Sequence, residues 1–146
     1  MKNEVLQPLT FFSPKDVDSN GTIFFDTGIS AGFPSPADDF RETRISLDEE
    51  LINNKEATFF AKVSGQSMIG AGLDDNDLLV IDRSIQPENN KIAVCFLDGE
   101  FTVKRLRVEG NEMWLQPENP DYPIIKITEE NNFVIWGIVT NVIKRL

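Results

Sequence analysis

The sequence predicts a mainly β domain of short strands and hairpins with one short helix, preceded by an extended, flexible arm. From Thr58 onward, seven runs (TFFAKVS, DLLVID, KIAVCFL, EFTVKRLRV, EMWLQP, PIIKI and FVIWGIVTNVIKRL) are rich in β-branched and aromatic residues. Gly, Asn, Asp and Pro separate them, the punctuation of strands and turns. Between the third and fourth runs, Asp98-Gly99 is the preferred pair for a two-residue type I′ turn, whose central positions both need positive φ. Ahead of Thr58, only SLDEELINN carries a helix signature.

In chain order, MKNEVLQPLTFFSPKDVDSN breaks its apolar residues into short pieces and carries acids. It is expected to be neither a secretory signal nor a membrane anchor. Nothing later approaches the roughly 18 uninterrupted apolar residues of a spanning helix, so a soluble, cytoplasmic protein is expected. Residues Phe24 to Arg44, FFDTGISAGFPSPADDFRETR, concentrate Gly, Pro, Ser and Asp without a sustained period and read as an extended, mobile connector. Ser46 stands as an N-cap with Glu49 three residues later, a capping box at the head of a short helix ending near Asn53-Asn54. The expected division is an arm and connector over 1–45 and a body over 46–146. Phe11, Phe12, Phe24 and Phe25 are apolar anchors that can pack on the body or on a second subunit.

A two-residue turn at Asp98-Gly99 makes Leu97 face Glu100. Phe96 then faces Phe101, Cys95 faces Thr102, Val94 faces Val103 and Ala93 faces Lys104. Lys104 therefore shares a face with Thr102, Ala93 and Cys95, while Arg105 points to the opposite, solvated side.

The chain has 146 residues, enough for one domain with a core. Its 14 basic and 24 acidic residues give a net charge of -10, which repels a phosphate backbone and disfavours direct DNA binding. The lone Cys95 excludes an internal disulfide, and the absence of histidine removes the usual zinc and haem ligand sets. No metal or cofactor is expected.

The stretch VSGQSM places Ser64 and Ser67 in a turn after a strand pattern. A serine needs a base to become a nucleophile, and without histidine the candidate is lysine. An unperturbed lysine is neutral in fewer than roughly one molecule in a thousand at pH 7, so it serves only where burial disfavours its ammonium form. Lys104, in FTVKRL, has the apolar neighbours for that. Taken singly, SGQSM is an ordinary turn and VKRLRV a charged outer strand face. Cys95 is the weaker nucleophile, lying in a buried strand pattern with no histidine to activate it.

Taken together, VSGQSMIGAGLDDNDLLVIDRS, IAVCFLDGEFTVKRL, LQPENPDYPII and VIWGIVTNVIKRL resemble, in that order, the self-cleaving peptidase domain of the LexA/UmuD family over about Thr58 to Leu146. The resemblance implies the LexA-like C-terminal peptidase fold, Ser67 as nucleophile and Lys104 as base. Two turns depart from the family pattern, with Asn76-Asp77 and Asn90-Lys91 where Gly-Asp is frequent. The family cuts an Ala-Gly or Cys-Gly bond upstream of its serine, which implies Ala31-Gly32 in GISAGFPSP. The backbone NH of Ser67, with the Ser64 hydroxyl, is the expected oxyanion donor set. At about 3.3 Å per extended residue, the intervening chain can fold back or cross to a partner subunit.

LexA-type repressors carry a helix-turn-helix domain before the cut, and residues 1–31 lack its pattern of amphipathic helices. The short arm resembles the UmuD-like branch. That implies an SOS DNA-damage regulator whose self-cleavage is promoted by the RecA filament on single-stranded DNA, and whose shortened form is a homodimer working with a UmuC-type translesion polymerase. Two other readings stay open: a β-rich interaction module without peptidase activity, whose mass would never change, and a trans-acting signal-peptidase-like Ser/Lys hydrolase, which should carry a membrane anchor.

Overall fold

Asp98 and Gly99 both take positive φ, 49° and 92°, and the turn they form joins β6 (Ile92–Leu97) to β7 (Glu100–Glu109). The register runs from Leu97↔Glu100 to Ala93↔Lys104 and Ile92↔Arg105, in agreement with the turn chemistry. The computed structural model describes residues 10–14, 22–25, 31–32 and 42–146, and only the backbone of Thr10, 22–25 and 42–43.

Around this hairpin an antiparallel sheet forms from β1 (Thr10–Phe12), β4 (Thr58–Lys62), β5 (Leu78–Asp82), β6, β7, β8 (Glu112–Gln116), β9 (Ile125–Ile127) and β10 (Phe133–Ile143). Its strand order is β1-β4-β5-β10-β6-β7-β8-β9. The seven runs after Thr58 supply β4 to β10. A second pair joins β2 (Thr22–Phe25) to β3 (Glu42–Ile45), which leads into helix α1 (Leu47–Leu51). By contacts the chain divides into two units, one holding β1 and everything from Asn54 onward, the other lying within residues 15–53. Ser46 caps α1 by accepting the Glu49 N–H at 3.4 Å.

The Ser46 side of the capping box thus forms as its sequence dictates, whereas the connector differs from its reading. Residues read as lacking a period contain β2 and β3 at their ends, because strands this short are too brief to display alternation. Phe24 and Phe25 fall in β2, and their side chains lie outside the described residues. In the arm, β1 pairs with β4 through Thr10↔Lys62, Phe11↔Ala61 and Phe12↔Phe60. Strand alternation sends neighbouring side chains opposite ways. Phe11 is half-buried and packs on Trp136 and Phe101, with ring centroids 4.5 and 5.0 Å away, while Phe12 is 47% exposed.

Two apolar clusters form the core. On β6, Val94 belongs to one, with Ala61, Leu79, Ile81 and Val103, while Ala93, Cys95 and Leu97 belong to the other, with Leu106, Leu115 and Ile138. Both faces of β6 are therefore covered, which explains its unbroken apolar run. β10 serves β5 on one side and β6 on the other, with a register shift against each; such bulges bend a long strand. Among the described residues no helix is long and apolar enough to cross a membrane.

Gly137 sits at the β6 shift, where an added Cβ would lie 2.6 Å from Ile81 Cγ2 and 3.2 Å from Arg83 Cγ. Because Ile81 is fully buried, it has little room to yield. Gly137→Ala is predicted to cost about 1–3 kcal/mol, read as a lower urea midpoint at unchanged m value. An unchanged midpoint would show that β10 can shift freely here.

Candidate functional site

Lys104 occupies the middle of β7 and is fully buried. Its cross-strand partner is Ala93, so the opposite position spends little volume and leaves room for the long side chain. The Nζ lies 2.6 Å from Thr102 Oγ1, 3.1 Å from the Val103 carbonyl oxygen and 3.0 Å from Ser67 Oγ. Ser67 is half-buried in the turn that follows β4. Gly65 enters that turn at φ 100°, a conformation costly for any side chain with a Cβ. A short 3₁₀ turn over Ile69–Ala71 follows.

The structure thus brings Ser67 and Lys104 into contact. Full burial keeps water from the Lys104 amine, the condition under which a neutral amine is favoured. The Ser67 N–H makes no hydrogen bond among the described residues, so it is available as a donor. Ser64 is exposed at the start of the turn. Ala31 and Gly32 are both exposed and lie in the unit within residues 15–53. Burial pushes the Cys95 thiol up to about 12, against the opposing influence of Lys104's charge, which leaves it unreactive at neutral pH. Among the described residues no group of three or more Cys, Asp or Glu is placed to hold a metal.

Three partners were not legible as such. Thr102 shares the face of Lys104 by the hairpin register, and its two-residue spacing on a strand is the sequence signal; the hydrogen bond from Nζ is what the structure adds. Glu118, which holds the Ser67 turn through its backbone groups, and Asn119, which holds it through its side-chain amide, stand in the sequence only within LQPENPDYPII, with no role assigned. On the other side, Asp75 Oδ1 accepts the Gly65 N–H at 3.0 Å. The backbones of Val63 and residues 76–77 exchange bonds of 2.8 and 2.9 Å.

Residues 23–140 match the family described as Peptidase S24-like. The chain is an S24-like peptidase of the LexA/UmuD family. Protein ImpA of Salmonella typhimurium is 41% identical over 132 residues, 90% of each chain. Protein MucA of Escherichia coli is 41% identical over 119 residues, 81% of each chain. The LexA repressor of Acidithiobacillus ferrooxidans is 34% identical over 119 residues, 80% of this chain and 58% of the repressor. The family's general chemistry is that of a self-cleaving serine peptidase, and the eight-stranded antiparallel sheet fits it.

The acidic turn beside the Ser67 turn has its own counterion. Lys144 donates to Asp74 at 2.5 Å and to the buried Asp77. Burial pushes the Asp77 carboxyl up, but the bonds from Lys144 and the Asp74 N–H outweigh it and hold the group below its ordinary 3.8. The Asp74 and Asp77 bonds raise Lys144 above 10.5. A lowered acid stabilises the fold above its unfolded value and loses that contribution as pH falls through its native value; a raised base does so below its unfolded value and loses it as pH rises. Lys144→Met is predicted to lower the thermal midpoint by a few degrees from about pH 4 to about pH 10. The difference should close at either extreme, and a gap that persists at pH 2 would place the effect elsewhere.

Proposed function

We propose that this chain is a UmuD-like regulator of the SOS DNA-damage response that cuts itself between Ala31 and Gly32, with Ser67 as nucleophile and Lys104 as general base. The observation that carries the reading is the 3.0 Å approach of a fully buried Lys104 Nζ to Ser67 Oγ. A neutral amine has two N–H bonds and one lone pair. Thr102 Oγ1 and the Val103 carbonyl lie within reach of the N–H bonds, and in this reading the lone pair takes the Ser67 hydroxyl proton.

In the first step Ser67 Oγ attacks the Ala31 carbonyl carbon as Lys104 takes the hydroxyl proton. The oxyanion is met by the Ser67 N–H, with the Ser64 hydroxyl as second donor. The C–N bond to Gly32 then breaks as Lys104 returns the proton to the leaving amine, giving an acyl-enzyme on Ser67 that water hydrolyses. Tethering the bond to its own catalyst raises its effective concentration, so weak recognition suffices. Residues 1–45 serve as the arm and connector, of which 1–31 leave on cutting, and 46–146 as the peptidase domain.

The chain aligns with 90% of ImpA but only 58% of the LexA repressor, which supports the short-armed branch. By family resemblance the RecA filament promotes the cut by favouring the arm-docked conformation. The shortened product, as a cytoplasmic homodimer, works with a UmuC-type polymerase in translesion synthesis.

The test is intact mass against time over neutral and alkaline pH, repeated at neutral pH with RecA, ATP and single-stranded DNA. The wild type should lose residues 1–31, faster as pH rises, because only the neutral amine is a base. Ser67→Ala and Lys104→Ala should each slow the cut by at least about 100-fold. A wild-type mass unchanged in every condition would leave an interaction module and refute the peptidase reading.

A further inference from the structure

The 3.0 Å approach of Lys104 to Ser67 places demands on the turn carrying Ser67, because a displacement of about 1 Å costs on the order of 100-fold in rate. The residues that hold this turn come from the segment leaving β8. Glu118 uses both of its main-chain groups: its N–H donates to the Ser67 carbonyl at 2.8 Å, and its carbonyl accepts the Gly70 N–H at 2.7 Å. One residue on, Asn119 Nδ2 donates to the Gln66 carbonyl at 2.9 Å, and its Oδ1 accepts the Asp121 N–H at 3.0 Å. Asn119 is buried, at 8% exposure, and its two bonds fix which end of the amide faces Gln66.

Two further features show that the approach is close and anchored. An added Cβ at Gly70 would lie 2.5 Å from the Glu118 carbonyl oxygen, so the contact requires a residue without one. The Glu118 carboxylate accepts from Arg105 Nε at 2.5 Å, and Arg105 is the neighbour of Lys104 on β7. β8 is itself in register with β7 through Arg105↔Gln116 and Leu106↔Leu115. Both halves of the dyad are thus referenced to one strand, Lys104 directly and Ser67 through residues 118–119.

We infer that Asn119, together with the Glu118 backbone, is the positioning device for the nucleophile: it holds the 66–70 turn so that Ser67 Oγ meets Lys104 Nζ. The inference rests on the Ser/Lys reading above. Asn119 touches no reacting atom and acts through Gln66 and Ser67, so its loss should lower the rate without altering the titration of the base.

The experiment measures self-cleavage of the full chain across pH for wild type, Asn119→Asp and Asn119→Ser, beside urea unfolding of each. Both substitutions keep an oxygen for the Asp121 N–H, and the aspartate has no donor for the Gln66 carbonyl. The expected result for the folded variants is a rate roughly 10- to 100-fold lower at every pH, with the midpoint of the pH profile unchanged. Wild-type rates in a folded variant would overturn the inference, as would a displaced midpoint, which would place the effect on Lys104. Should both variants fail to fold, amide exchange in the cleavage-blocked Ser67→Ala chain decides: slow exchange at Gly70 and Glu118 supports the clamp, and exchange as fast as in exposed turns overturns it. A wild type that never cleaves refutes the Ser/Lys reading itself, an outcome distinct from a cleaving wild type whose Asn119 variants cleave equally well.

Discussion

An amine at the end of a four-carbon stem, buried against the hydroxyl of Ser67, is the constraint around which the larger unit is arranged. Placing an ammonium in a dry interior costs several kcal/mol even after relaxation, so a lysine at such a position must find acceptors and must not be crowded. The hairpin meets both conditions. Its two-residue turn sets a register that puts Ala93 across from Lys104 and Thr102 two residues before it on the same face. A slip of one residue would turn Lys104 outward and bring Arg105 in. The positive φ of Asp98 and Gly99 is therefore linked, through β-pairing alone, to which cation meets the serine.

The turn bearing Ser67 answers to a second set of constraints. It has little regular structure of its own, so neighbouring segments satisfy its backbone groups. Residues 75–77 hold Val63 and Gly65 on one side, and residues 118–119 hold Gln66, Ser67 and Gly70 on the other. The first segment lies in an acidic stretch, with Asp74, Asp75 and Asp77 within four residues, and Lys144, just after β10, supplies the counterion. In a chain of net charge -10, local pairing of this kind keeps clustered carboxylates from opening the loop through their mutual repulsion.

What could be read from the sequence follows the range of the forces involved. The hairpin register was legible because Asp98-Gly99 specifies its turn locally and pairing propagates from it. The meeting of Ser67 and Lys104 was legible because it is made by side chains of distinctive chemistry within recognisable strings. β1, β2 and β3 were missed because three or four residues cannot display a period. The hold of Glu118 on Ser67 was missed because it runs through main-chain N–H and C=O groups, which every residue has. Gly70 marks the spot, yet a glycine in IGAG reads as loop until the carbonyl it must admit is seen.

The placement of β1 bears on what a cut at Ala31-Gly32 would accomplish. β1 precedes that bond in the chain but pairs with β4, so the cut removes the covalent link between a docked strand and its sheet. Full burial of an aromatic ring is worth about 1.5–3 kcal/mol. Phe11 is only half-buried and Phe12 is 47% exposed, so the apolar hold on the strand lies at or below that range. A dissociation constant of 1 mM corresponds to about 4.1 kcal/mol, more than this apolar hold alone provides. Severed and diluted to micromolar levels, β1 would not be retained by Phe11 alone; in the intact chain the covalent link and the strand pairing with β4 add to that contact. Its departure would bare the β4 edge together with the faces of Phe101 and Trp136 that Phe11 had covered. If the bond that is cut is Ala31-Gly32, as proposed, its hydrolysis would decide whether the β4 edge stays covered.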